Sequence, residues 1–277
     1  MMGCTFFFPG ERDEGGALYV LTLSVEQGED LGEATKEAQH VLEGRLQSLG
    51  SYLASVDASL PGTLRVYVPN QLLASLEEPG WLFKSVDLGV WEVAEEVAVP
   101  DSWEQTLFVS GHVVGVSTME EMALALSETS PPLGDHLVAW RVPQQQGERL
   151  SLVPLRGKSI ITNGHIASAT VEYQPDTRNS FVYLGLTPDG AASFGKATTR
   201  LVSHQIAIVA NGEVMMSPVV REPIMDGQIM ISLGASTTFK EAQSLAAAMS
   251  SKPIPGKLTV QSVGQLNAAP ELGVPNP

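Results

Sequence analysis

Side chains capable of acid–base, nucleophilic or metal chemistry occur in this sequence, but their spacing does not assemble them. The adjacent carboxylates Glu77-Glu78, Glu95-Glu96 and Glu120-Glu121 would point apart on either a helix or a strand, so each would need a partner from elsewhere in the fold. No Gly-x-Ser-x-Gly elbow, glycine-rich phosphate loop or His-Glu-x-x-His pair is present. His40, His112, His136, His165 and His204 are scattered, and the single cysteine, Cys4, can form no internal disulfide. A zinc site would need several of these groups close together. The expectation is a protein without catalytic residues, metal or cofactor. What is left is binding chemistry: Met215, Met216, Met225 and Met230 put four of the nine methionines into sixteen residues, near Phe194 on an expected neighbouring helix. Methionine is flexible and polarisable, and surfaces that accept many partners use it for that reason. Buried, the same side chains would fill irregular gaps in a core. Exposed, they would offer an apolar patch to an extended chain, which makes Phe194, Met215, Met216, Met225 and Met230 the candidate polypeptide-binding residues.

The elements that must position these groups belong to a folded chain. Of 277 residues 43% are hydrophobic and 17% charged, enough for a buried core and too little charge for a disordered chain. A formal charge of −15 repels phosphate backbones and anionic lipid, which excludes nucleic acid as a partner. No apolar run approaches the roughly 18 residues of a membrane helix. The charge is uneven, with 22 acids and 5 bases in residues 1–140 but 9 and 11 in residues 141–277, a break that marks two surfaces with different jobs. Turn-forming and polar runs at Ser127–Gly134 and Gln144–Gly147 place a boundary near 140–150.

Residues 17–25 read as a strand, and Leu31, Ala34, Ala38, Leu42, Leu46 and Leu49 recur at helical spacing. Strands follow at 51–56, 64–68 and 85–93, with a short helix at 71–77, in the β-α-β-β-α-β order of a ferredoxin-like unit. Residues 107–116 and the Thr118-Met-Glu-Glu121 capping box read as a further strand and helix. In the second half, paired strands at 169–173 and 180–186 lead into Thr187-Pro188, an N-cap followed by proline at the first helical position, of a helix running to about His204. Asn211-Gly212 joins the strands 205–210 and 213–216, because both residues tolerate the positive φ of a type I′ turn. Thr238 and Glu241 have capping-box spacing and open a helix stopped by Pro253 and Pro255.

Four segments in order, Thr187-Pro-Asp-Gly-Ala-Ala-Ser-Phe194, Ile206-Ala-Ile-Val-Ala-Asn-Gly-Glu-Val214, Ser217-Pro-Val-Val-Arg-Glu-Pro-Ile224 and Gly227-Gln-Ile-Met-Ile231, resemble the head of the first periplasmic domain of SecD. Val41-Leu-Glu-Gly-Arg-Leu-Gln-Ser-Leu-Gly50 and Gly62-Thr-Leu-Arg-Val-Tyr-Val-Pro69 resemble the base of that domain. Leu258-Thr-Val-Gln-Ser-Val263 and Pro270-Glu-Leu-Gly273 resemble its return strand and exit. The resemblance spans residues 17–273 and is weakest over 99–132. Where the family usually carries Asp-Gly in the hairpin this chain has Asn211-Gly212, an exchange that keeps the turn and removes a charge.

The resemblance implies an α+β protein with antiparallel sheets: a segment at 1–16 outside the packed fold, a ferredoxin-like base at 17–98, an elaboration or linker at 99–150, an inserted α+β head at 151–252, and a return strand and tail at 253–277. Crossings between base and head are expected near Ser151–Lys158 and Ser251–Gly256. The implied function is a non-catalytic periplasmic or envelope module, detached from the membrane helices of SecD, that binds unfolded or extended polypeptide in protein export. The alternative is a structural subunit of an envelope complex with one fixed partner, met through the acidic first half. Gly3-Cys4 matches the end of a lipoprotein signal without its apolar region, so Cys4 is a candidate lipidation site if the true start lies upstream and an ordinary thiol if it does not.

Overall fold

A computed structural model describes residues 15–25, 28–76, 82–109, 112–113, 119–129, 133–142, 149–176, 179–233 and 237–266. They form two compact units, residues 15–85 with 238–266 and residues 86–237. In the first, α1 (Leu31–Ser48) follows β1 (Gly16–Ser24), β2 (Ser55–Leu60) and β3 (Thr63–Pro69) come next, then α2 (Asn70–Ser75), and the chain returns later as α6 (Phe239–Met249) and β14 (Lys257–Leu266). Asp30 starts α1 by accepting from the backbone N–H of Gly32 at 2.8 Å and of Glu33 at 3.1 Å, which satisfies donors that the first turn leaves free. The helix buries Ala34, Ala38, Leu42 and Leu46 against Leu21, Leu64, Val66 and Val68 of the sheet, each fully buried leucine contributing about 1.5–3 kcal/mol. Among the described residues that sheet runs β14-β1-β3-β2, antiparallel throughout.

The β-α-β-β-α-β order is therefore that of β1, α1, β2, β3, α6 and β14. The short helix and the strand at 85–93, expected to complete it, do not. α2 is only a turn after β3, and the strand near 90 belongs to the second unit. The break expected between residues 16 and 17 also falls inside β1, since the Gly15 carbonyl accepts from Tyr67 Oη at 3.0 Å and from Asn70 N at 3.1 Å. The rest of the N-terminal segment, with Cys4, lies outside the described residues.

Arg45 holds the chain where it leaves the first unit. Its side chain is 1% exposed. Nη1 donates to the carbonyls of Leu82 at 2.8 Å and Lys84 at 2.6 Å, and Nε donates to Ser251 Oγ at 2.8 Å. Burial lowers the guanidinium pKa to about 10, because the charged form is partly desolvated. The neighbouring Ile254 is 4% exposed in the same core and donates its N–H to Ser85 Oγ at 3.1 Å.

The second unit contains β4 (Leu88–Val93), α3 (Asp101–Leu107), β5 (Phe108–Val109), β6 (His112–Val113), α4 (Met119–Ser127), β7 (Leu137–Arg141), β8 (Ser151–Thr162), β9 (Ile166–Gln174), β10 (Asn179–Leu186), α5 (Pro188–Arg200), β11 (Ile206–Ala210), β12 (Glu213–Met216) and β13 (Gln228–Ser232). Strands β11-β12-β7-β8-β4 close into a barrel, and β13-β10-β9 form an antiparallel sheet. The barrel has one parallel contact, Glu213 opposite Trp140. Residues 99–150 are no mere linker: Trp103, Leu107, Met122 and Leu126 pack in one core with Val138, Leu155 and Val209, and β7 is a barrel strand. A helix ends at Leu107 where a strand was expected to begin, and Thr118 of the expected capping box lies outside the described residues.

The crossings also differ from expectation. Ser151–Thr162 is one unbroken strand locked between β4 and β7, so the chain cannot change units there. It does so after Ser85 and after Thr237, because α6, Ser251 and Ile254 all pack in the first unit. The hairpin matches its signal: Asn211 has φ +50° and Gly212 +81°. Asn211 also exchanges two 2.8 Å bonds with Asp87, its N–H donating to the carbonyl and its Oδ1 accepting from the N–H. Asn163 repeats the device, accepting from Leu88 N at 2.8 Å and donating to the Val86 carbonyl at 3.0 Å. The expected N-caps are made, Thr187 accepting from Gly190 N at 3.2 Å and Thr238 from Glu241 N at 3.2 Å. The first helix ends at Arg200, not His204.

Candidate polypeptide-binding surface

The sheet β13-β10-β9 has two unlike faces. Strand alternation turns Val182, Leu184, Ile229 and Ile231 inward, each no more than 5% exposed, on the side where α5 packs against β10. The opposite face carries Met230 opposite Tyr183 opposite Thr170, with Phe181 opposite Glu172 in the next row. A depression of about 340 Å³ lies on this face, with Ser168, Thr170, Glu172, Tyr183 and Gln228 among its lining. Glu172 reaches the hydroxyl of Tyr183, its diagonal neighbour across the strands. Partial burial first, and the Glu172 charge and hydrogen bond second, hold the Tyr183 hydroxyl above its ordinary pKa.

The methionines do not form one patch. Met230 is 48% exposed on the outward face of β13, and Met225 is 71% exposed with its Sδ lying over Gly195 of α5. Met215 and Met216 are half-buried in the barrel strand β12. Phe194 is corrected: at 1% exposure it is a core residue on the inner face of α5 and offers nothing to a peptide. Tyr183, Phe181, Thr170 and Glu172 were not singled out from the sequence. The alternation of residues 180–186 carried the signal, because it puts Phe181 and Tyr183 together on the face away from Val182 and Leu184.

Glu92, Glu95 and Glu96 make local polar pairs. Glu95 accepts from Gln205 N at 3.0 Å and pairs with His204 Nδ1 at 3.0 Å, and the His204 hydrogen bond is the main reason its pKa falls. Its neighbour Glu96 pairs with Arg156, and Glu92 with Arg200 at 2.8 Å. The adjacent acids, on the turn after β4, thus bind different partners. Burial raises the Glu213 pKa, but among the described residues no three His, Cys, Asp or Glu side chains gather at one point. Glu77 and Glu78 lie outside the described residues.

The strands of this surface lie in a segment that is similar to known proteins. Residues 139–256 match the family SecDF, P1 head subdomain. The match starts at β7 and runs through α6, whereas the compact unit starts earlier and ends before that helix. The chain is 26% identical over 261 residues to protein translocase subunit SecD of Petrotoga mobilis, covering 90% of this chain and 51% of that protein. It is 32% identical over 117 residues to SecD of Dictyoglomus turgidum, covering 42% and 28%. The chain therefore spans at most about half the length of these relatives. Two solved structures share the fold: SecDF in its super-membrane-facing form, with a TM-score of 0.60, 21% identity and coverage of 92% of this chain and 31% of that one, and a second SecDF chain, with a TM-score of 0.55, 22% identity and coverage of 88% and 98%. Residues 139–256 are thus similar in sequence to the SecDF P1 head subdomain, and most of the chain is similar in fold to solved SecDF chains.

Proposed function

We propose that this chain is a non-catalytic, SecD-like periplasmic module that binds extended polypeptide in connection with protein export. The relatives are named as translocase subunits, and the SecDF of the second solved structure is described as a membrane component that enhances protein export. Among the described residues no helix is long and apolar enough to cross a membrane, so the part in export proposed for this chain is that of its folded units. The observation that carries the reading is the outward face of β13-β10-β9, where Met230 and Tyr183 stand together at the surface. Apolar, adaptable side chains beside hydrogen-bonding groups suit chains of many sequences. Affinity is weak, since ordering a disordered client offsets part of the apolar gain.

Fluorescence anisotropy with an unfolded reporter peptide and the full chain tests this. Met230→Gln should weaken binding while leaving the far-ultraviolet spectrum and melting midpoint unchanged, and Met225→Gln reports whether the α5 side takes part. No binding by the wild-type chain at high micromolar peptide would sink the capture reading.

The uneven charge favours a second reading, a structural subunit of an envelope complex with one partner on the acidic first half. Quantitative pull-down separates the two, since a fixed partner is recovered in stoichiometric amount and clients are many and substoichiometric. Lipidation at Cys4 is a separate proposal about anchoring, and the mass of the native N-terminus decides it.

A further inference from the structure

The strands of the second unit leave one long main-chain edge open among the described residues. Its barrel is closed and so has no edge. β5 and β6 have two residues each, too short to template another strand. In the remaining sheet β13 lies beside β12, but β9 pairs with β10 alone. It is nine residues long, and of these only Ile166 is buried. Natural edges are blunted by lysine, proline or a bulge in mid-strand. β9 contains neither residue, and its pairing with β10 is regular from Gln174 to Ser168, shifting only at the end near Ile166.

We propose that extended polypeptide is captured by strand addition to β9, an inference that rests on the capture reading and names its mode. Every second residue of β9 turns its N–H and C=O away from β10, and an incoming strand satisfies those groups whatever its sequence. Side chains then sort by face. On the inner side the strand lies alongside Ala169 and Val171, both half-buried, which favours small or branched apolar residues. On the outer side it meets Thr170 and Glu172 at the rim of the depression under Tyr183. Glu172 is the sole charged residue of β9, so charge complementarity selects a cation there. The occupant is a strand that alternates apolar with polar residues and carries lysine or arginine on the polar side.

The test uses the full chain and a short fluorescent peptide alternating valine with threonine or lysine, unmodified and in two backbone N-methylated forms. One form is methylated at the odd positions and the other at the even ones. In strand addition one set of amides faces β9 and the other faces solvent, so one form should bind roughly tenfold weaker or worse and the other nearly as well as the parent. Hydrogen exchange should slow at alternate amides of β9 and not elsewhere. Equal binding by both forms, equal loss in both, or protection confined to other strands would overturn strand addition while peptide capture stood. Failure of the unmodified peptide and of an unfolded reporter alike would overturn both.

Discussion

Met230 on β13 stands directly opposite Tyr183 on β10, on the face turned away from the Ile229 and Ile231 core. The pairing joins a flexible apolar side chain to an aromatic ring whose hydroxyl is held by Glu172. Replacing Glu172 by Gln should lower the Tyr183 pKa but not return it to the ordinary value, because partial burial is the larger cause. A tyrosine titration followed by NMR or ultraviolet absorbance reads this directly, and an unchanged Tyr183 would mean that the carboxylate does not act on it.

Phe194→Ala should destabilise the second unit by about 3–5 kcal/mol, the usual effect of emptying a phenylalanine site in a packed core. Met230→Gln, at an exposed position, should change stability by less than about 0.5 kcal/mol. Urea denaturation of the two variants separates a core role from a surface role.

Gly212 and Gly134 both have positive φ, +81° and +69°, but their surroundings differ. A Cβ on Gly212 would enter the ring of Trp140, whereas one on Gly134 meets nothing within 4 Å. Gly134→Ala should therefore show only the backbone penalty of about 1–2 kcal/mol, and Gly212→Ala clearly more. Equal losses would mean that the ring moves aside freely.

Arg45→Met keeps most of the side-chain volume and removes the donors to Leu82, Lys84 and Ser251. The buried Leu82 carbonyl would lose the Arg45 donor, which costs on the order of 1–3 kcal/mol, so the first unit should lose about that much in chemical denaturation. Arg45→Lys should recover little, since a single ammonium cannot span the positions that the planar guanidinium bridges.

Glu95 gives a pH signature. Its pKa in the fold lies below the ordinary 4.5, so its contribution is complete above about pH 4.5 and is lost as the pH falls through the folded value. Glu95→Gln should flatten that part of the stability curve, lowering stability at neutral pH while leaving it little changed at acid pH, where the wild-type carboxyl is already protonated. A wild-type curve already flat below pH 4.5 would contradict the assignment.

Local signals in the sequence determined much of this protein. Among the described residues, the caps and turn written from a few neighbouring residues formed as expected: Thr187-Pro188, the Thr238–Glu241 box and the Asn211-Gly212 turn depend on backbone donors and φ angles within four residues. The membership of those elements was decided only in three dimensions. The strand at 88–93 has the same alternation whether it closes a sheet with β1 or a barrel with β8 and β11, so periodicity cannot choose its partner. The helix after Thr238 reads equally well in either unit, and only its packing beside α1 assigns it to the first. The methionines were visible as a cluster in sequence, yet the pleat of β13, the fold-back over Gly195 and the barrel wall send them to three different places. A side chain's type is a property of the chain, but its exposure depends on which long-range neighbours cover it, and that is settled when the sheets close.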